Sequence, residues 1–178
     1  MKAKLFEVKK VKEKGKGLFA KQFIPIGTIT WFKCDKCREF TRQEIDSLSE
    51  KRRKFVFWHA YKTENGNYIL PCDEASFTNH SCNANTLDSG KGFDIVVRDI
   101  EKGEEVTYDY RFFYDIDMVC KCGEENCCKR VKSVHPIPEK LQSYWNSKIE
   151  PALRQIKKVP QPLDKYFSKD LKKAITKI

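Results

Sequence analysis

The sequence predicts a mainly β fold of short strands and short helices with a helical C-terminal extension. Three observations predict it. Runs rich in Val, Ile, Phe, Tyr and Thr recur between turn signals as far as Tyr108. Apolar residues at helical spacing over several turns follow Cys128. No long strand-helix-strand repeat appears, and the Gly15-x-Gly17 pair lacks the third glycine and the following helix of a dinucleotide fingerprint.

In chain order, residues 4–11, 17–20, 27–32, 68–70, 93–100 and 104–108 read as strands, with Glu101-Lys102-Gly103 as the turn between the last two. Residues 41–61 read as helical. Thr41-Arg42-Gln43-Glu44 resembles a capping box, and Ile45, Leu48, Val56 and Phe57 suggest two short helices or one broken one. Leu141, Trp145, Ile149, Leu153 and Ile156 mark a first amphipathic helix, which Pro151 kinks or restarts. Leu163, Phe167, Leu171 and Ile175 mark a second, separated from it by Pro160 and Pro162. Both are expected to pack on the strand body, and a less supported reading lets the second cover a ligand mouth.

With 178 residues, 40% of them hydrophobic, the chain suits one core plus an appendage. The opening MKAKLFEVKKV has no apolar signal core, and no run approaches the ~18 apolar residues of a membrane span. A soluble, intracellular monomer with no membrane partner is expected. The net charge is +10, and residues 129–178 hold 13 Lys or Arg against 4 Asp or Glu. That segment is expected either to meet nucleic acid or an acidic partner, or simply to present a solvated basic face.

Eight cysteines in a chain without an export signal favour reduced thiols and metal over disulfides. Cys120, Cys122 and Cys127 fall within eight residues, an incomplete tetrahedral zinc set that needs a fourth ligand from elsewhere. Cys82, in Asn79-His80-Ser81-Cys82, is the candidate, and Cys128 competes with Cys127. Cys34-x-x-Cys37 is a second half-site that Cys72, His59 or Cys128 would have to complete, with free thiols the favoured alternative.

Four motifs in order carry a resemblance. They are Gly15-Lys16-Gly17-Leu18-Phe19-Ala20, Asn79-His80-Ser81-Cys82, Gly103-Glu104-Glu105-Val106-Thr107-Tyr108-Asp109-Tyr110, and Cys120-x-Cys122-x4-Cys127. Through them the chain resembles the SET-domain family of protein lysine methyltransferases with a post-SET zinc loop, over roughly residues 5–128. The resemblance implies a SET-like fold of small twisted sheets with a pseudoknot. It divides the chain into a catalytic domain at 1–115, a post-SET zinc loop at 116–130 and a basic helical extension at 131–178. Only fourteen residues precede Gly15, so a compact member without a pre-SET module is expected.

By the same resemblance, Tyr110 is the catalytic tyrosine and Tyr108 the position that sets how many methyls are added, with mono- or dimethylation expected. Lys16, Gly17, Asn79, His80 and Tyr110 would bind S-adenosyl-L-methionine. Cys82, Cys120, Cys122 and Cys127 would hold Zn2+, the family spacing favouring Cys127. Phe57, Trp58 and Tyr61 are candidate walls of the adenosine or lysine channel. The implied partner is a protein presenting a lysine, a histone or other basic chromatin protein among the candidates, in the cytoplasm or nucleus. The alternative is a non-catalytic SET-like module binding basic peptides or nucleic acid.

Overall fold

The β-branched and aromatic runs form strands of at most six residues. A computed structural model describes residues 5–178, so Lys4 of the expected first strand lies outside the described residues. The strands are β1 (Phe6–Val11), β2 (Gly15–Ala20), β3 (Ile29–Trp31), β4 (Arg38–Phe40), β5 (Tyr61–Lys62), β6 (Tyr68–Leu70), β7 (Asn79–His80), β8 (Thr86–Asp88), β9 (Asp94–Val96), β10 (Glu105–Tyr108), β11 (Asp117–Val119) and β12 (Arg130–Lys132). The α-helices are α1 (Arg42–Asp46), α2 (Glu50–His59), α3 (Glu139–Leu153) and α4 (Lys169–Thr176).

The main sheet runs β1-β2-β10-β8-β9-β3, with β7 also paired to β10. A second sheet, β4-β6-β5, belongs with α1 and α2 to an insert around Phe40, Ile45, Val56 and Tyr68. β11 and β12 form a separate hairpin. The fold is thus mostly β with a curled sheet and few short helices.

Several elements are shorter than their sequence patterns. Residues 27–32 and 93–100 contribute only β3 and β9, because Gly27 and the segment after Val96 turn to make bridges such as Ile24 to Ile100. The Thr41 capping box forms: Thr41 Oγ1 accepts from the Glu44 N–H at 3.2 Å, and Glu44 Oε2 accepts from the Thr41 N–H at 2.7 Å. The helical stretch breaks after Asp46 and restarts at Glu50.

α3 continues unbroken past Pro151 and ends at Leu153, since a proline in the last turn forfeits only one ladder bond. Ile156 falls beyond the helix yet is buried, and Leu163 and Phe167 flank a 3-10 turn ahead of α4. Trp145, Ile149, Ile156, Leu163 and Leu171 share one core with Ile29, Leu87 and Ile95, so the extension does pack on the strands. Gly27, at φ +92°, lies where a Cβ would come within 2.8 Å of Gln155 Cβ, which shows how closely the two segments meet.

A polar bond adds to that packing. The Trp145 indole N–H donates to Asp109 Oδ2 at 3.0 Å, joining α3 to the end of β10. Trp145→Phe removes a buried bond to a charged acceptor and is expected to cost about 2 kcal/mol. Urea unfolding would measure it, with a cost near zero as the contrary result.

Candidate functional site

The pairing of β10 assembles the site. Thr107 lies opposite Asn79, and Tyr108 lies opposite both His80 and Thr86, all in parallel register. On its other edge β10 pairs with β2, Val106 opposite Leu18. Residues far apart in sequence, the Gly15–Ala20 strand, the Asn79-His80 strand and the Tyr108-Asp109-Tyr110 triplet, therefore border one cavity of about 950 Å³.

At one end of this cavity stand Lys14, Gly15, Lys16, Asn79 and His80. Gly17, just behind, has no room for a side chain: a Cβ there would fall 2.6 Å from Glu105 Oε1 and 3.0 Å from Asn79 Nδ2. The Asn79 amide donates to Lys16 O at 2.9 Å and to Glu105 Oε1 at 2.7 Å, and Lys14 Nζ pairs with Glu105 at 3.1 Å. Glu105 thus ties the glycine strand to Asn79. The sequence signalled it only as part of the Gly103–Tyr110 motif.

His80 connects the cavity to the cysteines. Its Nδ1 accepts the Tyr110 backbone N–H at 3.1 Å, so in the neutral ring Nε2 carries the proton, and that proton faces Cys82 Sγ at 3.4 Å. Burial pushes the imidazole down to about 4, outweighing the upward pull of Asp109. The ring is therefore neutral at pH 7 and acts as a strut.

The aromatic wall is continuous. Tyr108 stacks on Phe113 with centroids 5.1 Å apart, Phe113 stacks on Tyr61 at 5.0 Å, and Tyr61 meets Trp31 edge-on at 5.9 Å. Tyr110 flanks Phe113 at 5.4 Å, and its hydroxyl donates to Thr78 O. Burial, with the Glu105 charge adding, raises the Tyr110 phenol beyond the ordinary tyrosine range. Burial likewise raises Tyr108, with Asp94 and Asp88 adding.

Asp88 and Asp94 line the same cavity, on facing strands β8 and β9. Burial holds Asp94 well above the usual carboxylate range, with Asp88 adding, and no protein group donates to its carboxyl among the described residues. The Trp31 indole N–H beside them is buried without a hydrogen-bond partner among the described residues. None of these three stood out in the sequence, because isolated Asp and Trp carry no motif. Phe57, Trp58 and Tyr61 do line the cavity, and Trp58 is 84% exposed at its rim. Of the C-terminal segment only Leu163 reaches it, so α4 is not a cover among the described residues.

The cysteines converge as a metal set would. The sulfurs of Cys82, Cys120, Cys122 and Cys127 all lie within 4.8 Å of one another. Cys82 and Cys120 are 3.8 Å apart, matching the about 3.8 Å sulfur separation that tetrahedral zinc with 2.3 Å bonds requires. Backbone N–H groups point at the cluster: Cys128 N–H to Cys82 Sγ at 3.3 Å, and Lys129 N–H to Cys127 Sγ at 3.4 Å. Burial raises the Cys82 thiol to about 12. Burial also acts to raise Cys122, but the Cys82 and Glu124 backbone N–H groups and the Cys120 and Cys127 thiols bring it down to about 7.

A second grouping exchanges Cys122 and Cys127 for His80 and Cys128. His80 would have to release the Tyr110 N–H to present Nε2 as a ligand, which favours the four-thiol set. The loop carrying Cys120–Cys127 follows β11, whose Met118 and Val119 also line the cavity.

Comparison with known proteins follows the same segments. The family model of the SET domain matches residues 15–111. The variant-silencing SET domain-containing protein of Plasmodium falciparum is 30% identical over 139 residues, covering 68% of this chain and 5% of that protein. Human histone-lysine N-methyltransferase SETD1B is 44% identical over 61 residues, 30% of this chain and 3% of its own length. The chain thus spans a small fraction of these relatives. The solved structure of Arabidopsis thaliana SUVH6 in complex with SAM is similar at a TM-score of 0.55 and 19% identity, over 71% of this chain and 32% of that one, a likeness of fold.

Proposed function

The chain belongs to the SET-domain family, and on that premise we propose that it is a protein-lysine N-methyltransferase dependent on S-adenosyl-L-methionine. The observation that carries this reading is the one cavity shared by Lys16, Asn79, His80, Tyr108 and Tyr110. When bound, the cofactor supplies an electrophilic methyl on a sulfonium. Lys16, Gly17, Asn79 and His80 would hold it, through backbone groups of the glycine strand and the Asn79 Oδ1 acceptor, the Asn79 amide hydrogens being taken by Lys16 O and Glu105.

The chain's own residues account for the rest. A lysine amine is almost wholly protonated at neutral pH, with an ordinary pKa near ~10.4. The walls of Tyr61, Tyr108 and Phe113 exclude water and lower that value by desolvation, while the ring faces favour positive charge as it passes. Tyr110, its hydroxyl protonated, holds the amine in line and supports the transition state without taking the proton. Tyr108 crowds the amine and orients it, limiting transfer to one or two methyls. Tyr108→Phe is expected to add a further methyl. Mass spectra of the product would show it, and an unchanged product distribution would contradict it.

Asp88 and Asp94 give the channel two facing carboxyl groups that suit an incoming amine. Burial favours the neutral form of Asp94, so Asp94→Ala is expected to raise KM for a lysine peptide about fivefold while leaving kcat within about twofold, the loss of one neutral hydrogen bond. Steady-state kinetics decides, and an unchanged KM would remove Asp94 from substrate capture.

Zn2+ on Cys82, Cys120, Cys122 and Cys127 would act structurally, closing the Met118–Val119 wall of the cavity. The names of curated relatives make histone tails the first substrates to try, in a nuclear setting. No helix among the described residues is long and apolar enough to cross a membrane. Lys157, Lys158, Lys165, Lys169, Lys172 and Lys173 are all exposed, which leaves their charges open to nucleic acid. Binding that does not weaken with salt would argue against that role. Transfer of a methyl group to a lysine in a mixed histone pool tests the whole reading, and cofactor binding without any transfer would favour a non-catalytic module.

A further inference from the structure

The Cys34-x-x-Cys37 half-site finds a third thiol in the fold. The turn after β6 carries Cys72 to within 3.5 Å of Cys34, while Cys37 lies 3.9 Å from Cys34, sulfur to sulfur. All three sulfurs fall within 4.8 Å of one another. Their two measured separations bracket the about 3.8 Å edge of a zinc-thiolate tetrahedron and are far beyond the ~2.05 Å of a disulfide.

The local backbone has the form of a metal knuckle. The Cys37 N–H closes a turn onto Cys34 O at 3.0 Å. The Lys36 and Cys37 backbone N–H groups and the Cys37 and Cys72 thiols all lie against the Cys34 sulfur. The other sequence candidates are engaged elsewhere: His59 Nδ1 meets Ser76 O at 3.2 Å, and Cys128 sits against Cys82 at 3.4 Å.

We propose that Cys34, Cys37 and Cys72 form a second Zn2+ site, three thiolates with water in the fourth position. Loading it releases the three thiol protons to solvent. The site joins the entrance of the insert, just before β4, to its exit, just after β6. Past Cys72 the chain supplies Asp73 to Asn79, which line the cavity. One metal therefore steadies the insert side of the cavity and the other the β11 side, each set of ligands being independent of the other.

Elemental mass spectrometry of the full chain, purified with zinc under reductant, tests this without any reference to activity. About two zinc ions per chain are expected, falling to about one in Cys72→Ser and also to about one in Cys120→Ser. Alkylation mapping of the unsubstituted protein guards against misfolded variants: Cys34, Cys37 and Cys72 should be protected until a chelator is added. One zinc per chain, full zinc in Cys72→Ser, or free alkylation of these three cysteines before chelation would each overturn the proposal. Recovery of a Cys34–Cys37 disulfide under the same conditions would do so too.

Discussion

Tyr110→Phe is expected to lose about a hundred- to a thousandfold in kcat, the scale found when one preorganised hydroxyl or amide donor is removed from a reacting centre. Its fold should survive. The lost side-chain bond is the single one to Thr78 O, worth about 1 kcal/mol, while the His80 bond comes from the Tyr110 backbone and persists. Rapid-quench methyl transfer and thermal unfolding separate the two effects. The pH profile adds a sign: the rate should rise with pH as the substrate amine deprotonates, and that limb should stay in place in the variant. The reason is that burial raises the Tyr110 phenol above the ordinary range, so it remains protonated throughout. A variant retaining parental turnover would show that Tyr110 is a core residue only.

Cys82→Ser is the second large effect. Cys82 is buried, faces His80, Cys120 and Cys128, and its carbonyl accepts from Asn126 at 3.4 Å and Tyr144 at 3.5 Å. Replacing it removes one of four thiolates and leaves the loop between β11 and β12 joined to the Asn79–Cys82 segment only by hydrogen bonds such as Ser81 to Glu124 and Asn126 to the Cys82 carbonyl. A structural zinc supplies ~10 kcal/mol in small domains, so losing even a third of that, about 3 kcal/mol, lowers Tm by about 10 °C. Zinc content should drop by about one ion, and proteolysis should begin near residues 116–133. Cys128→Ser, by contrast, should retain metal if Cys127 is the ligand. Loss of metal in Cys128→Ser with metal retained in Cys122→Ser would assign the site to the His80 grouping.

The strand body was legible because β-propensity and turn residues coincide there, as in β1, β2, β6 and β10. Strands of two or three residues, β5, β7 and β8, were not, since so few residues carry no periodicity and exist only through their partners. Tyr110, Asn79 and Gly17 could be found because they sit in motifs. Cys82 could be found because three other cysteines needed a fourth ligand.

The acid and aromatic floor was hidden for the opposite reason. Asp94, Asp88, Trp31 and Phe113 meet only through the pairing of β3, β8 and β9 and the turn after Tyr110. Asp109 was in view within its triplet, yet its partners Arg111 and Trp145 required coordinates. Cys72 stood in sequence as one of three candidates to complete the Cys34-Cys37 half-site, and only the turn after β6, which delivers it to Cys34, selects it.

The most direct measurement is mass spectrometry of a histone pool incubated with S-adenosyl-L-methionine and the full chain, with Tyr110→Phe in parallel. The account predicts one or two methyl increments on lysine side chains with the unsubstituted chain and almost none with the variant. Absence of any methylated lysine while the cofactor is bound, or equal methylation by the variant, would contradict it.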